Sequence, residues 1–206
     1  MFNRVKKRFL RPLLSKSLPN LYPVHRLNLC SGGRTIPGYC DLDICDADIV
    51  MDLSHGNLPF RDDSLDSVVC MSAINYFTRD RGREIIAEVH RTLKPGGVAR
   101  FGVQDLEKIA RWYVEKNNEF FFQKLPDGRE RFEGVTLGDK FASWFYGYVS
   151  AGGACRYFYD YESLAWIFKD LGFSVVEKRN YMESRLSGMQ AIDNRPEQMF
   201  YLEAVK

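Results

Sequence analysis

From Arg26 onward the chain alternates between short apolar runs and longer stretches in which apolar residues return every third or fourth position. Short runs bounded by turn-forming residues predict strands, and the longer period predicts helices. RLNLC (26–30), YCDLD (39–43), DIVMDL (48–53) and SLDSVVCMS (64–72) are predicted strands, the last introduced by the polar turn PFRDDS. In DRGREIIAEVHRTLKPGG, Ile85, Ile86, Val89 and Leu93 make one face of a helix that Pro95 and the Gly96-Gly97 pair stop. VARFGV (98–103) predicts a fifth strand, after which Asp105 is placed to cap the helix LEKIARWYVEKN. YDYESLAWIFKDLGF predicts a helix ending at Gly172, and SVVEKR and MFYLEAVK predict a final antiparallel pair of strands joined by a loop. Such alternation implies an α/β fold whose mostly parallel sheet takes ligands at its carboxyl edge.

One connection breaks the pattern. Only Ser31 to Gly38, eight residues, separate the first two strands, whereas a crossover between parallel strands takes about a dozen. The first crossover is therefore shortened, without a helix, and one face of the first strands lacks its cover. The opening stretch MFNRVKKRFLRPLLSK spaces Phe2, Val5, Phe9 and Leu13 as on a helix, among Arg4, Lys6, Lys7, Arg8 and Arg11, with a break expected at Pro12. Three roles stay open for this segment: a helix covering the bare face, a peripheral membrane contact through residues 1–16, or nucleic-acid binding. The last is disfavoured, because the rest of the chain offers no extended basic groove. The expected organisation is a basic amphipathic segment at 1–25 and one domain at 26–206. That domain carries an aromatic-rich insert at about 117–159 where the periodicity blurs. Seventeen of the 29 aromatic residues fall between Trp112 and Phe168. Beyond the fifth strand the insert is placed to cover the carboxyl edge, its rings serving as core or as stacking faces for a sugar.

Composition narrows the setting. A chain of 206 residues is long enough for one domain with a substantial core. No stretch approaches the roughly 18 apolar residues of a spanning helix, and the N-terminus shows neither an apolar h-region nor a small-residue cleavage site. The expected location is cytoplasmic, peripheral on the inner face of the membrane if the first segment binds lipid. The net charge of +2 hides an asymmetry: residues 1–40 hold eight basic residues and no acidic one, leaving 21 basic against 27 acidic residues in the remainder. The five cysteines include no Cys-x-x-Cys pair and no accompanying histidine spacing, so no metal site is expected and the thiols are read as reduced.

The strand ends carry the chemistry. A turn of small residues from Leu29 through Cys30, Ser31, Gly32 and Gly33 lets backbone come close to a ligand. Asp43, ending the second strand, stands where a ribose-binding carboxylate sits in such folds. Asp52 and Leu53, past the third, offer a carboxylate for an exocyclic amine and a backbone N–H for a ring nitrogen. Each acid alone is an ordinary turn residue; together, one per strand end, they describe a nucleoside site. The turn lacks Gly-x-Gly-x-x-Gly and no helix starts after it, so a pyrophosphate has no helix N-terminus to rest on. A ligand with adenosine and no phosphates fits better, and S-adenosylmethionine is such a ligand. The missing helix also removes a dipole that would favour the ligand's carboxylate, a charge that Arg34 in the turn can supply.

LNLCSGG, GYCDLDI, DADIVMDLSHGNLPFRDDSLDSV, EVHRTLKPGGVARFGVQDLEKIARWY, YDYESLAWIFKDLGF and the closing IDNRPEQMFYLEAVK resemble the class I S-adenosylmethionine-dependent methyltransferases. They are most similar to a bacterial type 11-like subgroup linked to surface polysaccharide biosynthesis. The resemblance implies a Rossmann-like fold with a mostly parallel seven-stranded sheet and an antiparallel C-terminal strand pair. It implies that Leu29 to Gly33 cradle the methionine part, that Asp43 binds the ribose, that Asp52 and Leu53 hold the adenine edge, and that Met71 and Ser72 line the pocket. Where the family usually has Gly this chain has Cys30, and where it often has His the chain has Cys155. The implied acceptor is a glycan or nucleotide sugar.

Methyl transfer is an in-line displacement that needs near-attack geometry, and a sugar hydroxyl benefits from a general base. Asp105, just after the fifth strand, is a candidate as well as a helix cap. Tyr159 is the other, in a segment with Arg156 and Tyr157 that is placed to close the pocket. His25 precedes the first strand at the opposite edge, His90 lies on a helix away from the strand ends, and His55 sits nearer the adenine than the methyl. Two other readings stand beside this one: a non-catalytic methyltransferase-like scaffold, and a methyltransferase for a lipid-linked or quinone-like acceptor. The sequence leaves the oligomeric state open.

Overall fold

The computed structural model describes residues 24–147 and 154–206. The basic N-terminal helix expected at 1–16, and the 148–153 part of the insert, lie outside the described residues.

All seven expected strands form one mixed sheet: β1 (Arg26–Leu29), β2 (Cys40–Asp43), β3 (Ile49–Val50), β4 (Leu65–Met71), β5 (Leu93–Gln104), β6 (Val175–Arg179) and β7 (Met199–Val205). Their order is β3-β2-β1-β4-β5-β7-β6. The first five are parallel to one another, and β7 lies antiparallel between β5 and β6. The short connection of residues 30–39 contains turns and no helix, as its length requires. Residues 44–48, between β2 and β3, likewise contain none.

Six helices are described: α1 (Arg79–Thr92), α2 (Leu106–Val114), α3 (Asn118–Phe121), α4 (Leu137–Tyr146), α5 (Tyr161–Asp170) and α6 (Met189–Ile192). Side chains satisfy their first free N–H groups: Thr78 for α1, Asp105 for α2, Asp160 for α5, and a Thr136–Asp139 capping box for α4. Helix α1 ends at Thr92, before the Leu93 that the periodicity assigned to it. Pro95 disfavours helical backbone at Lys94, and Leu93 instead turns extended and pairs with Leu65 at the start of β5. Strand β3 is shorter than expected because the Asp52 carboxylate accepts the Ser54 N–H at 2.8 Å and turns the chain.

The two faces of the sheet differ. On one, Leu27, Leu29, Val68, Cys70, Phe101 and Leu202 alternate inward against Ile85, Ile86 and Val89 of α1 and Leu164, Ile167 and Phe168 of α5. Burying each such side chain stabilises by about 1.5–3 kcal/mol, and the Phe101 and Phe168 rings meet edge-on at 5.1 Å. The other face lacks the first crossover helices and carries polar side chains. Asn28 donates to Asp41 at 2.7 Å, and the fully buried Arg100 binds Asp193 at 2.8 and 2.6 Å and Glu203 at 3.0 Å. Asp193 belongs to the connection between β6 and β7, which lies over this face and adds Ile192 to a small cluster with Ile36 and Val69. A separate aromatic cluster of Phe120, Phe121, Phe132 and Trp144 gives the insert its own core beside α2, the role expected for most of its rings.

Removing one member of a buried ion group strands the others without a partner. Arg100→Met is expected to cost about 3–5 kcal/mol in guanidinium unfolding, and replacing Asp193 by Asn and Glu203 by Gln in the same chain should recover part of that loss.

Candidate active site

The carboxyl ends of β1, β2, β4 and β5 bring most of the expected site residues to one edge. The turn after β1 is held by β2. The N–H groups of Cys30 and Ser31 both donate to the Leu42 carbonyl, at 2.7 and 3.3 Å, and the Gly32 N–H donates to Asp43 Oδ2 at 2.7 Å. Asp43 Oδ1 accepts from Ile44 N–H at 2.6 Å. Several N–H groups of this turn are therefore spent within the protein. Cys30, Gly32 and Gly33 all have positive φ, at 55°, 60° and 74°, a conformation that costs a non-glycine residue energy. The Cys30 side chain packs against the main core, which includes the buried Cys70, and the neighbouring thiol together with burial pushes the Cys70 pKa well up. A side chain placed at Gly32 or Gly33 would meet no atom of the described residues within 4 Å, so among them open space lies over the turn. Buried beside it, the Ser31 hydroxyl has no hydrogen-bond partner among the described residues. An orphaned hydroxyl under open space is what a bound polar ligand would satisfy.

Arg34 is exposed, and its guanidinium reaches the Asp193 carbonyl at 3.5 Å. Asp52 is exposed in the loop after β3, and Leu53 is buried. Their loop is pinned from α1: Arg81 Nε donates to the Leu53 carbonyl at 2.7 Å, and Arg81 also binds the Gly56 carbonyl. Further along, Glu88 accepts the Leu58 N–H at 2.9 Å, and Arg91 donates to the Phe60 and Leu58 carbonyls. These residues were not singled out in the sequence, although their polar face on an otherwise core-directed helix was visible. Met71 is half-buried, and Ser72, with φ of 57°, donates its N–H to the Gly102 carbonyl at 2.8 Å and its hydroxyl to Met199 Sδ at 3.2 Å.

Asp105 is buried, and its Oδ1 accepts the Lys108 N–H at 3.2 Å, so the expected cap is present. Tyr159 pairs with Asp105 as an isolated bridge, and its carbonyl accepts the Leu106 N–H at 3.1 Å. Its side chain leaves the edge. The ring is buried in the main core, and the hydroxyl lies against Gly82 of α1, where an added methyl would come within 2.6 Å of it. Burial pushes the phenol up to about 12. Residues 155–157 cross over the end of β4, where Asn75 accepts the Arg156 and Tyr157 N–H groups and donates to the Tyr157 carbonyl. The Cys155 thiol, pushed up to about 11 by burial, contacts Gln104 Oε1 at 3.8 Å. Around this edge Asn75 Oδ1, Gln104 Nε2 and Gln198 Nε2 are buried and have no partner among the described residues. Polar residues at the ends of apolar strands were the only signal of them. Among the histidines, His55 is exposed beyond Asp52, and His90 packs edge-on to Phe173 at 4.8 Å.

Residues 39–101 match the model of a methyltransferase domain family. No curated protein matches the chain. Among solved structures, the glycopeptide N-methyltransferase MtfA in complex with S-adenosyl-L-homocysteine is 18% identical, with a TM-score of 0.51 over 88% of this chain and 82% of that one. A Listeria monocytogenes protein assigned as an S-adenosylmethionine-dependent methyltransferase is 15% identical, with a TM-score of 0.51 over 92% and 93%. At these identities the likeness is one of fold: the sheet is the Rossmann-like sheet of those methyltransferases, with a shortened first crossover. Among the described residues no helix is long and apolar enough to cross a membrane.

The raised Tyr159 phenol sets a pH dependence. An unfolded tyrosine ionises near pH 10, so this group's contribution to stability is complete below about pH 10 and is lost as pH rises toward 12. Denaturation midpoints measured across that window should fall more steeply for the wild type than for Tyr159→Phe.

Proposed function

We infer that this chain is an S-adenosylmethionine-dependent methyltransferase and that it methylates a hydroxyl of a sugar in surface glycan assembly. The observation carrying the cofactor is the turn buckled onto Asp43, with an orphaned Ser31 hydroxyl under open space. It stands in a sheet of methyltransferase strand order, within a chain matched over 39–101 by a methyltransferase domain. The cofactor would supply an electrophilic methyl group on a sulfonium, a C–O bond to the acceptor forming as the C–S bond breaks and the thioether S-adenosylhomocysteine leaves. Each Asp43 oxygen already takes one backbone N–H and keeps lone pairs for the ribose hydroxyls. Leu29 to Arg34, Asp52, Leu53, Met71 and Ser72 would complete the cofactor site.

For the acceptor, the helix cap fixes one oxygen of Asp105 and leaves the other to take the hydroxyl proton as the methyl arrives. Asp105 suits that role better than Tyr159, whose phenol faces α1 and holds its proton to about pH 12. The sugar assignment is supported by Asn75 Oδ1, Gln104 Nε2 and Gln198 Nε2, buried amide atoms without a partner among the described residues, which hydroxyls can satisfy.

Calorimetric titration with S-adenosylmethionine and S-adenosylhomocysteine should give micromolar binding that Asp43→Ala weakens at least tenfold; a wild type that binds neither would favour the scaffold reading. Asp105→Asn keeps a capping side chain and removes the basic oxygen. It should fold normally, bind cofactor as before and lose roughly a hundredfold in kcat with a sugar acceptor.

A further inference from the structure

We propose that the cavity beside Asp105 is a subsite for a phosphate group carried by the methyl acceptor, with Lys108 and Lys178 as its cationic walls; the assignment to an acceptor rests on the methyltransferase reading. The cavity, about 230 Å³, opens where β5 and β6 end and β7 begins, and Asp105, Lys108, Lys178, Arg179, Tyr181 and Tyr201 are among its lining residues. Its charges are unequally compensated. Arg179 meets Glu177, Glu183 and Glu203. Among the lining residues Asp105 is the one carboxylate, with one of its oxygens serving the α2 cap. Lys108 Nζ donates to two neutral groups, the Pro196 and Met199 carbonyls, at 3.1 and 3.0 Å. Lys178 has its ammonium 5.5 Å from the centre of the Tyr161 ring. Among the described residues neither lysine forms a salt bridge.

Burial holds the Lys108 ammonium below its ordinary pKa, and the Lys178 charge facing the same cavity adds to this against the attraction of nearby Asp105 and Glu197. A dianion between the two lysines offsets their mutual repulsion and supplies charge-assisted acceptors. Lysine serves a phosphate as a point charge. A second cavity, of about 350 Å³, shares Lys178 and is lined by Glu107, Asp160, Tyr161 and Glu162. Carboxylates and a tyrosine ring suit the hydroxyl-bearing remainder of the same acceptor. The geometry places the phosphate against the lysines and the ring beyond Lys178, with Asp105 at the wall nearest the reacting edge.

The test titrates inorganic phosphate at constant ionic strength, followed by calorimetry, into wild type, Lys178→Gln, Lys178→Arg and Lys169→Gln, an exposed lysine elsewhere. Each sample is also titrated with S-adenosylmethionine. Saturable phosphate binding that weakens at least tenfold in Lys178→Gln, with Lys178→Arg and Lys169→Gln near wild type and cofactor affinity unchanged throughout, is the expected result. Absence of saturable binding, or equal binding by Lys178→Gln, overturns the subsite whether or not the cofactor binds. Lysine-dependent phosphate binding in a protein that takes no cofactor overturns the methyltransferase reading, and the assignment to an acceptor falls with it.

Discussion

Arg100 places a full positive charge inside the sheet, and one face of the molecule is organised around neutralising it. The carboxylates that do so come from different places: Glu203 from the neighbouring strand β7, Asp193 from the connection before it. Arg100 also donates to the Glu183 carbonyl at 3.0 Å, and Asp193 accepts the Met182 N–H at 2.8 Å. A connection that could have been a loose loop is thereby fixed over β5 and β7. An apolar core of the same shape would serve stability as well or better. What the ionic group adds is position: Asn180, Glu183 and Asp193 of the connection all meet the one guanidinium.

This arrangement answers the short first connection. A parallel sheet is normally covered by crossover helices on both faces. Here eight residues between β1 and β2 allow none, and the face that would have received that helix carries Asn28, Asp41, Arg100 and Glu203 in place of aliphatic side chains. The active edge inherits the economy. The turn after β1 is stiffened by hydrogen bonds to β2 and by the Asp43 carboxylate. Loops beyond β3 are stiffened by arginines of α1.

Strands and helices were legible in the sequence because their apolar periods are clean, and the acids at the strand ends were legible because such positions repeat across open α/β sheets. The missing helix could be read from length alone. What stayed hidden depended on contacts distant in the chain. VARFGV reads as a strand, but nothing local says that Arg100 points inward to carboxylates ninety and more residues away. Cys30 looked like an intrusion into the turn. Its side chain packs against the main core instead, which no pattern in the turn announces. Leu93 fitted the helix by period, and only its partner Leu65 decides that it belongs to the sheet. Tyr159 lies beside Asp105 in backbone terms, while its side chain goes to the opposite side.

The position of β7 bears on how the chain reaches this state. Val98 of β5 pairs with Val205, so the central antiparallel ladder joins segments separated by most of the domain. Pairings of that span form late, since the entropy of closing so long a loop must be met before the contacts repay it. Until β7 docks, β5 is an unprotected edge carrying an unneutralised arginine. During synthesis on the ribosome that interval lasts until the segment through Val205 has emerged. The buried charge then acts as a brake on premature closure: a collapsed intermediate that seals β5 against an apolar surface must bury Arg100 alone, and only the correct partner strand and connection relieve it.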